Sequence, residues 1–316
     1  MSTTHTSTLI IGSGAAGYTA AIYSARAMLN PILLTGLQKG GQLTLTNEIE
    51  NFPGFPHPVD GNWLMDQMFQ QAQNVGANIL DEIVTKVDLN VRPFKIFTDS
   101  DKIFTCDSLI IATGAKARWL GIDGEQTFIG GGVSACATCD GFFYRNQNVV
   151  VVGGGNTAVE EALYLSDIAK HVTLIHRRDK LRAEQILQDR LFKKSNISIL
   201  WNQKVIQILG THTKMLPPQV SSIRLQNILD HNITELDTSG VFIAIGFDPC
   251  TNLFDNQLKK TQDNYLWVEA GTTKTSIPGV FAAGDVADSV YHQAILAAGH
   301  GCMAALDAKK YLEELN

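Results

Sequence analysis

The sequence predicts an α/β protein carrying two Rossmann-like domains, and three observations predict it. A glycine turn, Gly12-Ser-Gly-Ala-Ala-Gly17, follows a short apolar run near the N-terminus. A second, Gly153-Gly-Gly-Asn-Thr-Ala158, follows another apolar run at mid-chain. Each turn opens a helical pattern that leads into a further apolar run. The return of one plan points to an ancient duplication.

In chain order, the first unit is a strand Thr8–Ile11, the glycine turn, a helix over Tyr18–Met28 and a strand Pro31–Leu34. The second is a strand Asn148–Val152, its turn, a helix over about Val159–Ala169 and a strand His171–Ile175. Two other short strands run into small-residue turns, Leu109–Gly114 and Val241–Gly246, as counterparts in the two halves. A late strand, Ile277-Pro-Gly-Val-Phe-Ala-Ala-Gly-Asp285, precedes a small-residue helical stretch around Ala294–Ala308. Met215–Gln219 reads as a loop.

Length and composition bound the function. The chain has 316 residues, enough for about two domains. At 45% hydrophobic and 18% charged it builds ordinary cores. A net charge of −6 argues against non-specific nucleic-acid binding, which needs a basic surface. No apolar run approaches the roughly 20 residues of a membrane span, so no membrane partner is expected. The opening MSTTHTSTLIIG lacks the basic and apolar regions of a secretory signal. Five cysteines without a regular framework fit a reducing, cytoplasmic setting.

Each glycine has a mechanical role in such a turn. The first permits the tight bend, the second lets backbone approach a pyrophosphate, and the third lets helix and strand pack closely. The helix N-terminus then offers free N–H groups to the phosphates. Gly12, Gly14 and Gly17 fit these roles, as do Gly153, Gly155 and Ala158. The residue after the second strand sorts the ligand: an acid binds a ribose 2′-hydroxyl, and arginine accommodates a 2′-phosphate. The second copy ends in His176-Arg-Arg-Asp-Lys-Leu-Arg182, with Arg177, Arg178 and Arg182 clustered in an acidic protein. This predicts NADPH rather than NADH. The first copy has neither acid nor arginines, only Thr35-Gly-Leu-Gln-Lys-Gly-Gly-Gln42. That glycine-rich loop, with the late Gly284-Asp285 carboxylate for sugar hydroxyls, fits a flavin dinucleotide.

Cys136-Ala-Thr-Cys139 sits apart from Cys106, Cys250 and Cys302, which are scattered singly and predicted to be small buried apolar groups. Half a zinc site would need two more ligands, and no second pair lies nearby. Two unrelated structural thiols are a further possibility. As a redox pair, positions i and i+3 of a helix share a face and lie close enough to bridge. Cysteines in a first helical turn carry more thiolate, the form that attacks disulfides. Asp140, next in sequence, is placed to move protons to or from a thiolate, or is a helix-start acid favoured by the dipole.

Over essentially its whole length the chain resembles bacterial-type low-molecular-weight thioredoxin reductases. The residues that carry the resemblance are Gly12–Gly17, Gly40-Gly-Gln-Leu43, Cys136-Ala-Thr-Cys-Asp140, Gly153–Ala158, His176-Arg-Arg178 and Phe281-Ala-Ala-Gly-Asp285. The resemblance implies ββα three-layer domains for FAD and NADPH, with the NADPH domain (117–245) inserted into an FAD domain split between 1–116 and 246–316. It implies a homodimer, thioredoxin as the protein substrate, and a redox disulfide Cys136–Cys139 with Cys139 facing the flavin and Asp140 as the acid. By position, FAD would be held by Gly12, Ser13, Gly14, Ala15, Thr35, Gly36, Gly40, Gly41, Gln42, Asn51, Thr113, Gly114, Gly284, Asp285, Gln293 and Ala294. NADPH would be held by Gly155, Asn156, Thr157, His176, Arg177, Arg178 and Arg182. Nicotinamide and disulfide would take turns at the flavin by rotation of one domain about the two crossings.

The chain departs from the family in two places. A basic residue often precedes the redox helix, and here the stretch is Gly130-Gly131-Gly132, which leaves the docking contacts open; Phe142 and Phe143 are either an apolar docking pair or ordinary core. Where Arg-Gln-Ala is common, this chain has His292-Gln293-Ala294, and an imidazole there would make turnover pH-sensitive. Rival readings are a peroxiredoxin-linked reductase, which would carry an extra N-terminal thiol domain, and a flavodoxin or ferredoxin reductase, which needs no C-x-x-C. A non-catalytic flavin-binding redox sensor and a zinc-stabilised binding module are the non-enzyme alternatives.

Overall fold

The computed structural model describes residues 3–45, 48–211 and 217–315. The chain divides into two compact units, one made of 1–116 with 248–316, the other of 117–247. The second crossing thus lies two residues beyond the Ile245/Gly246 boundary expected from sequence.

The first unit opens with β1 (Thr3–Ile11), α1 (Ala15–Arg26) and β2 (Ile32–Leu34), followed by α2 (Gly61–Asn74) and β3 (Asn78–Leu80). The antiparallel pair β4 (Val84–Asp88) and β5 (Phe94–Thr98) leads into β6 (Ile103–Ile111) and the short β7 (Ala115–Ala117). In the second unit come β8 (Val133–Ser134), the one-turn α3 (Ala137–Asp140), β9 (Asn148–Gly153), α4 (Asn156–Ser166), β10 (His171–Ile175), α5 (Gln185–Leu191) and β11 (Ile197–Leu200). A three-stranded antiparallel sheet of β12 (Gln203–Thr211), β13 (Gln219–Asn227) and β14 (Ile233–Asp237) precedes β15 (Gly240–Ala244), and the short β16 (Phe247–Pro249) spans the boundary at 247/248. Back in the first unit lie β17 (Val280–Ala282) and the long α6 (Ala294–Leu315).

Both units centre on a parallel sheet. In the first, β3, β2, β1 and β6 lie in that order, with β17 parallel to β6 through Val280–Leu109. In the second the order is β11-β10-β9-β15-β8. Side chains on a strand alternate between faces, so a sheet covered on both sides reads as an unbroken apolar run. Val149 and Val151 pack with the α4 side, whereas Val150 and Val152 pack against the antiparallel sheet through Val205, Ile223 and Leu225. This makes the second unit helix, parallel sheet, antiparallel sheet. In the first, Ile10, Leu33 and Ile110 face α1, α2 and α6, and Leu9, Ile11 and Leu109 face the β4–β5 side.

Several elements are longer or shifted relative to the sequence reading. Strand β1 starts at Thr3 because Thr3–Thr6 pair with Ile103–Cys106. Both helices after the glycine turns begin three residues early, directly behind Gly14 and Gly155. Helix α1 ends at Arg26, since Met28 takes a left-handed φ of 62°. Strand β6 stops at Ile111, and Gly114, with φ 69°, turns the chain away. Helix α6 runs on to Leu315. Met215 and Leu216, expected in a loop, lie outside the described residues. Of the single cysteines only Cys106 is buried; Cys250 and Cys302 are half-buried, a correction to the expectation for all three. Cys302 lies on the helix face next to the exposed Met303, where packing does not enclose it.

Candidate functional site

The first cradle forms where β1 meets α1. A Cβ on Gly12 would sit 2.2 Å from the Ala112 carbonyl oxygen, and one on Gly17 would sit 2.0 Å from that of Gly12. Both glycines are therefore packed against protein. Gly14 differs: nothing lies within 4 Å of a Cβ there. As the N-cap of α1 it makes no side-chain capping bond to the first N–H groups of the helix. The loop after β2 closes over this turn. Ser13 Oγ donates to the Thr35 carbonyl at 2.9 Å and accepts from the Gly40 N–H at 3.1 Å. A Cβ on Gly41 would lie 3.0 Å from the Gly14 Cα.

The result is a cavity of about 360 Å³. It is lined by Gly12, Ser13, Gly14, Ala15, Thr35, Gly36, Gly40, Gly41, Gln42, Thr113, Gly114, Asp285 and Ala294 from the sequence-based set. Asn51, Gly284 and Gln293 do not line it. Asn51 Nδ2 donates to Gln293 Oε1 at 3.4 Å, and Gly284 packs on Ala16 and Ala297. Sequence reasoning missed Ile83, Val84 and Leu253, which give an apolar wall, and Cys250, whose carbonyl accepts from Thr113 Oγ1 at 2.8 Å. They come from two separate segments, 83–84 and 250–253, and share no motif. Burial, reinforced by the charge of Asp288, pushes the Asp285 carboxyl up to about 7. His292 also lines this cavity, with Nδ1 3.9 Å from Asp285 Oδ2. Burial pushes its imidazole down, and Asp288 and the Ser289 backbone act in the opposite direction.

The second cradle repeats the design. A Cβ on Gly153 would strike the Ala244 carbonyl oxygen at 2.3 Å and the Ala158 Cβ at 2.6 Å, while Gly155, the N-cap of α4, again has nothing within 4 Å. A Cβ on Gly154 would lie 2.2 Å from His176 Cε1, so the buried imidazole rests directly on the turn. Its Nε2 donates to the Lys180 carbonyl at 3.0 Å. Burial lowers the His176 pKa, and Arg182 and Arg178 lower it further. The Arg182 N–H donates to the Gly154 carbonyl at 2.7 Å, which fixes that arginine over the turn. The cavity here is about 850 Å³ and includes Gly155, Thr157, His176, Arg177 and Arg182. Asn156 and Arg178 do not line it; Asn156 Oδ1 accepts from the Glu184 N–H at 2.9 Å instead. Arg118, Gln203 and Lys204 line it and were not legible, because only the fold brings them beside the turn.

The thiol pair is a disulfide, Cys136–Cys139, with Cα atoms 5.3 Å apart. Cys136 is the N-cap of α3 rather than a residue of its first turn, and α3 is a single turn. The predicted dipole contribution is correspondingly small. Ser134 organises the site: its Oγ accepts from the Cys136 N–H at 3.0 Å and donates to Asp140 Oδ2. Burial raises the Asp140 pKa, opposed by the Ser134 hydroxyl. Behind the helix, Glu161 Oε1 accepts from the Ala137 N–H at 3.3 Å. Its Oε2 is shielded and has no partner among the described residues. Burial pushes Glu161 up to about 7, with the Asp140 charge adding to the rise. Neither Ser134 nor Glu161 was singled out from sequence. Phe142 and Phe143 are 51% and 37% exposed, and Arg145 lies over the Phe142 ring at 4.9 Å. This exposure excludes the ordinary-core reading of the pair. Among the described residues no group of three or more His, Cys, Asp or Glu side chains could hold a metal, and no helix is long and apolar enough to cross a membrane.

Both cradles fit dinucleotides on the same observation: the glycine that must admit a phosphate backs onto open space, and its two neighbours in the motif do not. Comparison with known proteins agrees. The family model for pyridine nucleotide-disulphide oxidoreductases matches residues 6–301. A thioredoxin reductase of Rickettsia conorii is 57% identical over 309 residues, covering 98% of this chain and 99% of that protein. One of Escherichia coli O157:H7 is 53% identical over 321 residues, covering 99% and 98%. Among solved structures, thioredoxin reductase from Giardia duodenalis is 39% identical with a TM-score of 0.92, covering 98% of this chain and 99% of that one. That from Streptococcus pyogenes is 38% identical, also with a TM-score of 0.92, covering 99% and 100%.

Proposed function

Since the chain belongs to the pyridine nucleotide-disulphide oxidoreductase family, we propose a reading of its site in which NADPH, FAD and the Cys136–Cys139 disulfide form one electron path. The protein is an NADPH-dependent flavoprotein disulfide oxidoreductase and functions as a thioredoxin reductase. FAD, when bound, supplies the two-electron hand-over between nicotinamide and disulfide. The Gly12–Gly17 turn, the Gly40-Gly41 loop and Asp285 would hold FAD in the first unit. The Gly153–Ala158 turn and the Arg177–Arg182 cluster would hold NADPH in the second. The net reaction consumes NADPH, one proton and the disulfide of thioredoxin, and yields NADP⁺ and the dithiol.

This chain's residues handle sulfur and protons. Opening Cys136–Cys139 takes two electrons and leaves a sulfur that needs a proton. Asp140, its pKa raised by burial, keeps a proton to higher pH than an ordinary aspartate and gives it to the departing thiolate. Ser134 holds the Asp140 carboxyl through Oδ2 and the Cys136 backbone through its N–H, so acid and sulfur keep one geometry. One thiolate then attacks the partner's disulfide, and the second sulfur displaces the partner from the mixed disulfide, which closes Cys136–Cys139 again. Exposed Phe142 and Phe143 beside the helix offer an apolar footing to the partner protein.

Two broader properties belong to the same reading. A homodimer is supported by apolar residues exposed on α6, namely Ile295, Leu296, Met303 and Leu306. A cytoplasmic setting is supported by the sparing use of cysteine. Light scattering on the eluting protein checks the first, with a monomer mass as the contrary result.

The observation that carries the function is the disulfide with its half-buried acid on the unit that also holds the arginine-flanked glycine turn. An anaerobic NADPH titration followed by flavin absorbance tests it. Complete reduction takes about two NADPH per flavin, and Cys139→Ser lowers this to about one, because the disulfide is a second two-electron centre. One equivalent for both proteins would put the thiols off the electron path.

A further inference from the structure

The cavity of the second unit contains a polar group that neither the glycine turn nor the arginine cluster uses. Gln203 opens β12, and its backbone N–H donates to the His176 carbonyl at 3.1 Å. This holds Gln203 against the end of β10, next to the point where Arg177 enters the cavity. Its side-chain Oε1 is shielded and has no hydrogen-bond partner among the described residues. A shielded amide oxygen left unpaired is unfavourable, so the position calls for a donor that arrives from elsewhere. On the other side the wall turns apolar. The Ile228 N–H donates to the Asn202 carbonyl at 2.8 Å, which brings Ile228 beside Gln203, and Ile206 lines the same cavity.

Cation, unpaired amide and apolar surface follow one another along this wall. A purine nucleotide with a phosphorylated ribose presents the matching series. Its phosphate meets the arginine, its ring face meets the isoleucines, and its edge presents an amino donor. A glutamine amide matches adenine in particular, with the oxygen accepting from N6 and the nitrogen donating to N7. We propose that Gln203 reads the adenine of NADPH, its Oε1 accepting from the 6-amino group after a turn of the terminal amide into the cavity. The base thereby becomes a determinant of nucleotide choice in addition to the 2′-phosphate. The proposal rests on the assignment of this cavity to NADPH and names a residue for one part of it.

Nicotinamide hypoxanthine dinucleotide phosphate tests this, because it differs from NADP⁺ only at one edge of the purine, where a 6-carbonyl with N1–H replaces the 6-amino group with unprotonated N1. Binding of each oxidised nucleotide to the oxidised holoenzyme is read by calorimetry, without turnover. The expected result is that the wild type binds NADP⁺ about tenfold more tightly or better, the loss of one buried hydrogen bond. Gln203→Met, which keeps length and removes the acceptor, brings the two affinities within about twofold, mainly by weakening NADP⁺. Gln203→Glu, which keeps an acceptor, retains the preference. Equal binding of both nucleotides by the wild type, tighter binding of the hypoxanthine form, or an undiminished preference in Gln203→Met overturns the role of Gln203. Flavin absorbance and melting temperature verify that the variants are folded. The cavity assignment is tested separately with Arg177→Ala combined with Arg178→Ala. If that variant binds NADP⁺ like the wild type, the cavity is not the NADPH site, whatever Gln203 does.

Discussion

Single side chains decide the proton chemistry, and two half-buried carboxyls near the disulfide make opposite predictions. In the proposed mechanism Asp140 acts on sulfur. Asp140→Asn keeps the shape and the Ser134 hydroxyl as neighbour but has no proton to give, so kcat falls by about 10²–10⁴-fold. The loss is measured with a disulfide substrate across pH, and a variant within about twofold of the wild type would remove Asp140 from the mechanism. Glu161 acts on stability. Its folded pKa is raised to about 7, so between its ordinary value and about 7 the folded state binds more protons than the unfolded one. Stability therefore falls as pH rises through that window. Glu161→Gln removes the effect, and its melting temperature gains on the wild type at pH 8 but not at pH 5. A gain of equal size at both pH values would show that ionisation of Glu161 is not responsible. Neither Glu161 nor Ser134 was legible in the sequence, because neither belongs to a motif with its partners; Glu161 reaches Ala137 across 24 residues. The Cys136–Cys139 disulfide was legible because the pairing depends on local spacing in sequence.

At the scale of elements, the two glycine turns separate folding from binding within one motif. Gly12 has φ 108° and a carbonyl oxygen where its Cβ would be, whereas Gly14 has an ordinary φ of −72° and space around it. Gly12→Ala is expected to destabilise by roughly 3 kcal/mol or more, from left-handed strain and collision together. Gly14→Ala, compared by urea midpoint after flavin removal, stays within about 0.5 kcal/mol of the wild type, since nothing opposes its methyl group. It nevertheless purifies with less flavin per protein, because that methyl fills the space a pyrophosphate needs. Equal flavin content in Gly14→Ala and wild type would detach the turn from FAD. The turns and their strands were legible because apolar runs and glycine spacing are local signals. Helix starts were read three residues late because Ala15, Ala16, Asn156 and Thr157 give no apolar periodicity. The antiparallel sheet of β12–β14 was not read at all. Its strands alternate polar and apolar residues around a loop, and nothing in the glycine or thiol motifs points to it.

For the whole molecule, the chain passes out of the first unit at Lys116 and returns at Asp248. The first unit is held together across that excursion by β17 on β6 and by α6 on α1, where a Cβ on Gly301 would lie 2.2 Å from the Ala16 carbonyl oxygen. Such close approach allows no side chain larger than hydrogen, and its partners lie almost 300 residues apart in sequence. The second unit is continuous, with its sheet closed between Val133 and Ala244. Contacts of short sequence separation form sooner than those that must close a long loop. In refolding followed by pulsed hydrogen exchange, amides of β9, β10 and β15 are expected to gain protection before those of β17 and α6. Simultaneous protection would mean that the units fold as one.

The same split matters during synthesis. A ribosome that has released residue 116 has delivered β1, β2 and β6 with the α1 face still uncovered, and roughly 160 more residues must emerge before β17 can join the edge of β6. At the rates of chain elongation that is a wait of about 8–30 seconds. During that time the inserted unit can finish folding while its host stays open. The host becomes able to retain its flavin only as the last strand and helix arrive. A nascent chain that stalls short of α6 therefore displays an unpaired strand edge and a bare Ala-rich helix, the features by which quality-control machinery tells an unfinished protein from a complete one.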